Sequence, residues 1–394
     1  NYSAQQLDGT STMPELPEDE RRFLLDPTLP EQLKAVGYET THIGKWHVQP
    51  APPRVGFDYS LYPQVHHRHT AQTFVENTGP GELIEGFSID YEAQAVADYL
   101  ATVSGDGKPF FLSYNISPPH MPLDDAPEEY LHMFSPDQMP LRDNVWCADG
   151  SLPYDEHWFK IYLWDFLYYQ EHLPFTQQLP PGFDLRHLLA RYYGMVSWVD
   201  DQVGRLLYGL AANGLAQDTI VVFLSDHGDN LGSHNLFNKG RLIEESIRIP
   251  MIWWWPSQLQ HQVCDDEVAS LIDVMPTVLD LAGGHTPACV QGHSLAAALR
   301  GNGNGPDHAF IETTGGQIGV RTPGHLFGLQ LAADRQRVAD EGGCFHDLVV
   351  DPYELTNLHG STTLATVAAQ LESDLRDWHH ETPIRSAPGM PERL

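Results

Sequence analysis

The segment Ile220-Val-Val-Phe-Leu224 is a run of strand formers that passes directly into Ser225-Asp-His-Gly-Asp229, a cluster of metal-ligating and anion-binding types. If 220–224 is a buried strand, Asp226 and His227 stand just outside its carboxyl end, where open α/β sheets bind their ligands. Neighbouring side chains on an extended strand point to opposite faces. The two can therefore share one cation only if the backbone leaves extended geometry between them, which Gly228 permits. The same residues are ordinary turn formers, so this segment alone is read equally well as a metal pair or as a polar turn.

Three other segments carry candidate chemistry. Gly44-Lys-Trp-His47 sets a cation and a titratable ring two residues apart, on one side of the chain if extended geometry persists. His120 follows Pro118-Pro119, whose restricted backbone makes a stiff perch suited to a proton donor, although a surface histidine in a Pro-rich loop fits the same residues. Lys239 lies among polar residues beyond the Asp-His pair, where a solvated lysine is the ordinary expectation.

Each of these segments needs an element to carry it. Thr28-Leu-Pro-Glu31 has capping-box spacing and opens a short helix ending at Gly37, after which a strand runs from Tyr38 and stops at Gly44. Ile89, Ala93, Val96, Ala97 and Leu100 define one helical face, and Phe110–Asn115 reads as the next strand, leading into His120. Leu188, Leu189, Tyr192, Val196, Val199, Val203, Leu206 and Leu210 define a long amphipathic helix ahead of the 220–224 strand. Helices alternating with strands predict a largely parallel sheet covered on both faces. The stretch from Ser135 to Pro181 holds Trp146, Trp158, Trp164, Tyr168 and Tyr169 without a clear period, and is read as a packed cover more than as a substrate loop.

Ile249–Trp255 reads as a further strand, and Asp273–Ala282 as a helix stopped by Gly283-Gly284. Gly301-Asn-Gly-Asn-Gly-Pro306 is the best linker. Beyond it, short strands are expected at Ala309–Glu312, Gly319–Arg321, Leu326–Leu331 and Leu348–Val350. A helix with Leu364, Val367, Leu371, Leu375 and Trp378 on one face then closes the chain. The expected division is 1–300 and 301–394.

Composition narrows the function classes. A chain of 394 residues, 41% hydrophobic, can bury a large core, and a net charge of −31 argues against nucleic acid or an anionic membrane as partner. Positive charge is scarce: the lysines are Lys34, Lys45, Lys108, Lys160 and Lys239, so an anionic substrate would require the few cations to be gathered in one pocket. The cysteines Cys147, Cys264, Cys289 and Cys344 have neither metal-ligand spacing nor a disulfide pattern. No stretch has the length and apolarity of a membrane span. The compartment and the oligomeric state are not legible.

Taken in order, Gly44–His47, Pro118–Pro122, Ser225–Asp229 and Lys239 through Glu244-Glu-Ser-Ile-Arg-Ile-Pro250 resemble the sulfatases of the alkaline phosphatase superfamily. Asp273-Val-Met-Pro-Thr-Val-Leu-Asp-Leu-Ala-Gly283 and Asp351-Pro-Tyr-Glu-Leu-Thr-Asn-Leu358 are similar to later signatures of that family. The resemblance implies an α/β, alkaline-phosphatase-like three-layer fold, with a mostly parallel sheet flanked by helices and a small C-terminal α+β subdomain. It implies hydrolysis of a small-molecule or carbohydrate sulfate ester by a formylglycine, an oxidised cysteine or serine whose hydrate attacks sulfur. Asp226 and His227 would ligate a divalent metal, calcium first, with manganese or zinc also compatible with the donors. Lys45 would hold the nucleophile and sulfate charge, His47 would take the proton when the aldehyde is regenerated, and His120 and Lys239 would contact the sulfate and help neutralise the leaving oxygen.

Two parts of the family pattern have no counterpart here: the acidic pair after the first strand, and the Cys/Ser-X-Pro-Ser-Arg segment that supplies the nucleophile. None of the cysteines stands in that context. The expectation is a sulfatase whose N-terminal segment, with its formylglycine, is missing from a chain that begins at Asn1. As written, such a chain would have no turnover. A phosphonate monoester or phosphodiester hydrolase of the same superfamily and an inactive binding scaffold are the alternatives.

Overall fold

A computed structural model describes residues 26–382, other than 49, 65–66, 165–176, 265–266, 334 and 340. Tyr168 and Tyr169 lie outside the described residues. The central sheet contains β1 (Glu39–Gly44), β2 (Tyr59–Pro63), β3 (Thr73–Glu76), β4 (Gly81–Leu83) and β5 (Phe110–Asn115), in the order β4-β3-β2-β1-β5. Strand β1 pairs in parallel with β2 and with β5, whereas β2, β3 and β4 form an antiparallel meander. The sheet is thus mixed rather than mostly parallel. Short connections allow only antiparallel neighbours, and the parallel entry of β5 needs the crossover supplied by helix α2 (Ser88–Asp106).

The expected capping box opens helix α1 (Leu29–Ala35): the Thr28 N–H donates to Glu31 Oε2 at 3.1 Å, and its hydroxyl donates to the Val55 carbonyl. Helix α2 turns Ile89, Ala93, Val96 and Leu100 inward as its periodicity predicts, each large apolar side chain contributing about 2 kcal/mol by burial. Ala97 is exposed, and Glu92 takes a buried place on the inner side of the same helix. After α3 (Glu156–Leu163), the long α4 (Leu185–Ala212) packs Leu185, Leu188, Leu189, Met195 and Trp198 into the largest core, while Val196 faces solvent. Phe159 and Tyr162, from the aperiodic insertion, are buried in that core, so the described part of the insertion acts as a packed cover.

Strand β6 (Val221–Leu224) pairs antiparallel with β7 (Met251–Trp254) in a ribbon apart from the central sheet among the described residues. Val221 still packs on the core formed by Ile43, Val96, Leu100 and Leu210. Helix α5 (Val274–Leu281) ends at Gly283, whose φ of 73° is the left-handed stop anticipated from the sequence.

Beyond residues 301–306, β8 (Ala309–Glu312), β9 (Gln317–Arg321), β10 (His325–Gln330) and β11 (Cys344–Asp347) build an antiparallel sheet in the order β11-β10-β9-β8. Helix α6 (Ala365–Glu381) covers it through Leu371 and Leu375, making the expected α+β unit. Leu348–Val350 is not a strand. Asp347 accepts the Val349 and Val350 N–H groups in a turn, and both valines are exposed, so an apolar triplet was mistaken for a pairing strand.

Candidate active site

Parallel pairing decides what meets at the end of the sheet. Strands β2, β1 and β5 run in one direction, so the chain leaving each of them emerges at the same edge. These exits carry His67 and His69 after β2, Lys45 and His47 after β1, and His120 after β5. Gly44 is opposite Asn115 in the register, with φ at 97°, and a Cβ there would overlap the Asn115 carbonyl oxygen. The Lys45 N–H donates to that oxygen at 2.8 Å, and Asn115 Nδ2 donates back to the Lys45 carbonyl at 3.2 Å, which ties the two exits together.

Asp226, His227 and Lys239 reach the same place from β6. The backbone enters through Gly228, which lies so close to Glu245 that a Cβ would overlap the Glu245 carbonyl, and the Gly228 N–H donates to the Ser246 carbonyl at 2.9 Å. The loop is held from the insertion side by Tyr162, whose hydroxyl donates to Asp229 Oδ1 at 2.6 Å and accepts the Asn238 N–H at 2.7 Å.

The six residues singled out in the sequence act on one another electrostatically. Burial, then Lys239, pulls Lys45 down to about 8, with Asp226 opposing. Lys239 itself is lowered, first by burial, against the pull of Asp226 and Asp229. His47 falls to about 4 through burial and then Lys45 and Lys239. His120 is held well below the usual imidazole range by burial, Lys45, His67 and Lys239. His47 and Lys239 reach solvent, yet enough protein surrounds them for loss of hydration to be the largest influence on each. Two crowded ammonium groups beside neutral imidazoles make a pocket that gains from an incoming anion.

The donors fit a divalent cation. His227 Nδ1 lies 2.8 Å from the Gly228 carbonyl and must carry the hydrogen, which leaves the Nε2 lone pair facing Asp226 Oδ2 at 3.3 Å. Burial, then Lys239, lowers the His227 pKa and keeps the ring neutral, as a ligand must be. Asp226 and His227 supply two ligand atoms, part of a shell.

Sequence reasoning missed four contributors. His67 Nδ1 is 3.3 Å from His120 Nδ1 with ring centroids 4.5 Å apart, and its ring meets His47 edge to face at 5.5 Å. His69 Nε2 donates to the His120 carbonyl at 3.0 Å. Asp229, pushed up to about 6 by burial, and Tyr162 lock the Asp226 loop. The histidine-rich run at 66–69 was the available signal for the first two.

A family model described as Sulfatase matches residues 2–284. Among curated relatives, an ulvan-active sulfatase of Formosa agariphila is 27% identical over 387 residues, covering 90% of this chain and 67% of its own. An arylsulfatase of Clostridium perfringens is 29% identical over 297 residues, with 73% and 55% covered. The chain spans between about half and two thirds of the length of such relatives. A structure solved with D-glucosamine-2-N,6-O-disulfate as its substrate superposes with a TM-score of 0.71 at 23% identity, over 90% of this chain and 82% of that one. The phosphonate monoester hydrolase of Agrobacterium radiobacter gives 0.62 at 20% identity, over 89% and 80%. These structures share the fold. Among the described residues no helix is long and apolar enough to cross a membrane.

Proposed function

The chain belongs to the sulfatase family, and from that premise we propose that its strand-end site binds and hydrolyses a sulfate ester, with a sulfated carbohydrate as the first substrate class to test. The observation that carries the reading is the gathering of Lys45 and Lys239, two of the few lysines in a chain of net charge −31, beside neutral histidines and the Asp226–His227 pair. A sulfate group entering there offsets the burial that lowers both lysines and the Lys239 charge that further lowers Lys45, so its binding raises the proton affinity of the groups around it.

Lys45 and Lys239 hold the equatorial charge of the sulfate. His120 hydrogen-bonds the Met121 carbonyl through Nδ1 at 2.8 Å, so its neutral form turns the Nε2 lone pair outward. Bound sulfate lifts its pKa, and the protonated ring then donates to the leaving oxygen. His47, neutral and solvent-reaching, accepts a proton in the second half of the reaction. Asp226 and His227 would hold the divalent cation, calcium before manganese or zinc, and when bound it would supply Lewis acidity toward the sulfate oxygens. The formylglycine of the family reading has no counterpart among the cysteines of this chain: Cys344 is in β11 with its thiol pushed up to about 12 by burial, and Cys147, Cys264 and Cys289 stand in other sequence contexts.

A second reading, phosphonate monoester hydrolysis, draws on the likeness to the Agrobacterium enzyme. The test uses the product of the full reading frame, purified with calcium or manganese, on aryl sulfates, sulfated saccharides and aryl phosphonates. Faster cleavage of sulfates is expected; faster cleavage of phosphonates transfers the site to the second reading, and cleavage of neither makes the chain a binding scaffold.

A further inference from the structure

Away from the strand-end site, His234, Glu245 and Glu354 each offer one ligand atom, and the three atoms lie within 4.8 Å of one another. They come from distant segments: the loop after the Ser225–Asp229 motif, the helical turn Glu244–Ile247, and the chain beyond β11. Several contacts are already made. Glu245 Oε1 accepts from Arg142 Nε at 2.8 Å and from Asn144 Nδ2 at 2.9 Å, and Glu354 Oε2 accepts the Glu244 N–H at 2.9 Å. The second oxygen of each carboxylate, Glu245 Oε2 and Glu354 Oε1, is buried and accepts no hydrogen bond among the described residues. Glu245 and Glu354 are only 9% and 4% exposed, so water does not relieve them.

Counting hydrogens at Asn144 sharpens the point. Its Nδ2 has two hydrogens but faces three acceptors, Glu245 Oε1 at 2.9 Å, the Tyr353 carbonyl at 3.2 Å and His234 Nε2 at 3.2 Å. The two oxygens use both hydrogens. A hydrogen on His234 Nε2 would point at an amide nitrogen that accepts nothing, so Nε2 carries a lone pair. Of the surrounding ion pairs, Arg142 engages Glu245 at 2.8 Å, while Arg321 and Arg248 engage Glu244 at 3.0 and 3.9 Å.

We propose that His234, Glu245 and Glu354 form a second divalent-cation site, separate from the Asp226–His227 pair, which pins the loop leading to Lys239 to the C-terminal sheet unit. One imidazole nitrogen with two carboxylate oxygens suits zinc or manganese; calcium prefers a larger, all-oxygen shell. Its role is structural: it joins three segments of the chain.

The experiment uses the full chain carrying Asp226→Asn, which disables the strand-end pair. The protein is equilibrated with Zn²⁺ or Mn²⁺ alone, desalted, and assayed for bound metal and thermal midpoint, with Co²⁺ absorption as a probe of nitrogen ligation. One retained equivalent and a raised midpoint are expected. Adding Glu354→Gln, whose amide oxygen still accepts the Glu244 N–H, or His234→Ala should weaken binding at least about tenfold. Retention of less than a tenth of an equivalent of either metal, or binding that neither variant weakens, would overturn the proposal and assign the position to a proton shared between the carboxylates. If Glu354→Gln fails to fold, His234→Ala decides.

Discussion

The two polar clusters of this molecule are built with opposite charge. At the carboxyl ends of β1, β2 and β5, Lys45 and Lys239 stand among histidines; burial lowers both, and the Lys239 charge lowers Lys45 further. At the junction with the C-terminal sheet the carboxylates crowd instead, and burial, then Glu244 and Glu245, pushes Glu354 up to about 7. Each cluster is unfavourable as an isolated assembly, and each is relieved by a ligand of opposite sign. In a chain with a net charge of −31, two of the few lysines meet at one pocket, where they can attract an anion. Frustrated charge in both places marks function more than stability.

This contrast can be broken most severely at the cationic end. In the full reading-frame product, Lys45→Ala or Lys239→Ala should each lower kcat/KM for an aryl sulfate by about 10²–10³-fold with circular dichroism unchanged. Retention of activity within threefold would remove the lysines from the sulfate. Next in size is Gly44→Ala, which sets a Cβ against the Asn115 carbonyl at a φ of 97° and should cost about 3 kcal/mol or more in urea unfolding. A loss under about 1 kcal/mol would mean that the β1 and β5 exits relax without cost.

A buried group within β1 and one at the C-terminal junction should also answer pH in opposite directions. His42 is 0% exposed and lowered by burial from 6.5 to about 4, so the unfolded chain binds the proton that the folded one refuses. Its contribution is present above 6.5 and lost as pH falls toward 4, up to on the order of 3 kcal/mol. Glu354 behaves inversely: raised from 4.5 to about 7, it favours folding below 4.5, and that contribution is lost as pH rises through 7. Denaturant midpoints across this range should therefore pass through a maximum. Metal-free Glu354→Gln should gain about 2 kcal/mol at alkaline pH, and an unchanged alkaline limb would detach that limb from Glu354. The smallest effect expected is Tyr162→Phe, about 1 kcal/mol from the two hydrogen bonds of its hydroxyl, read as faster amide exchange at Leu231 and Asn238.

What could be read in the sequence follows a physical line. Strands β1 and β5, their glycine or polar ends, and the long helix α4 were legible because periodicity and chain punctuation are local. The meander β2–β4 was not, since its strands are three to five residues long and set in polar sequence. Lys45, Lys239, His47, His120 and the Asp-His pair stood out only together, because the order of their segments resembles the sulfatases, whereas each alone fits an ordinary surface or turn residue. His67 and His69 did not, because only the parallel pairing of β2 with β1 carries their loop to the same edge. Tyr162 was hidden for a different reason: its segment has no period, and its role exists only where the hydroxyl meets Asp229.

The contact of Glu354 with the Glu244 N–H, together with the Arg321–Glu244 pair at 3.0 Å, bears on how this architecture can change through descent. A C-terminal unit exchanged by recombination at the 301–306 segment would arrive without its matching acid and guanidinium, and the turn that abuts Gly228 would lose its brace. An exchanged appendage would hold that turn only if it kept counterparts of Glu354 and Arg321, even though 301–306 reads as a linker in the sequence.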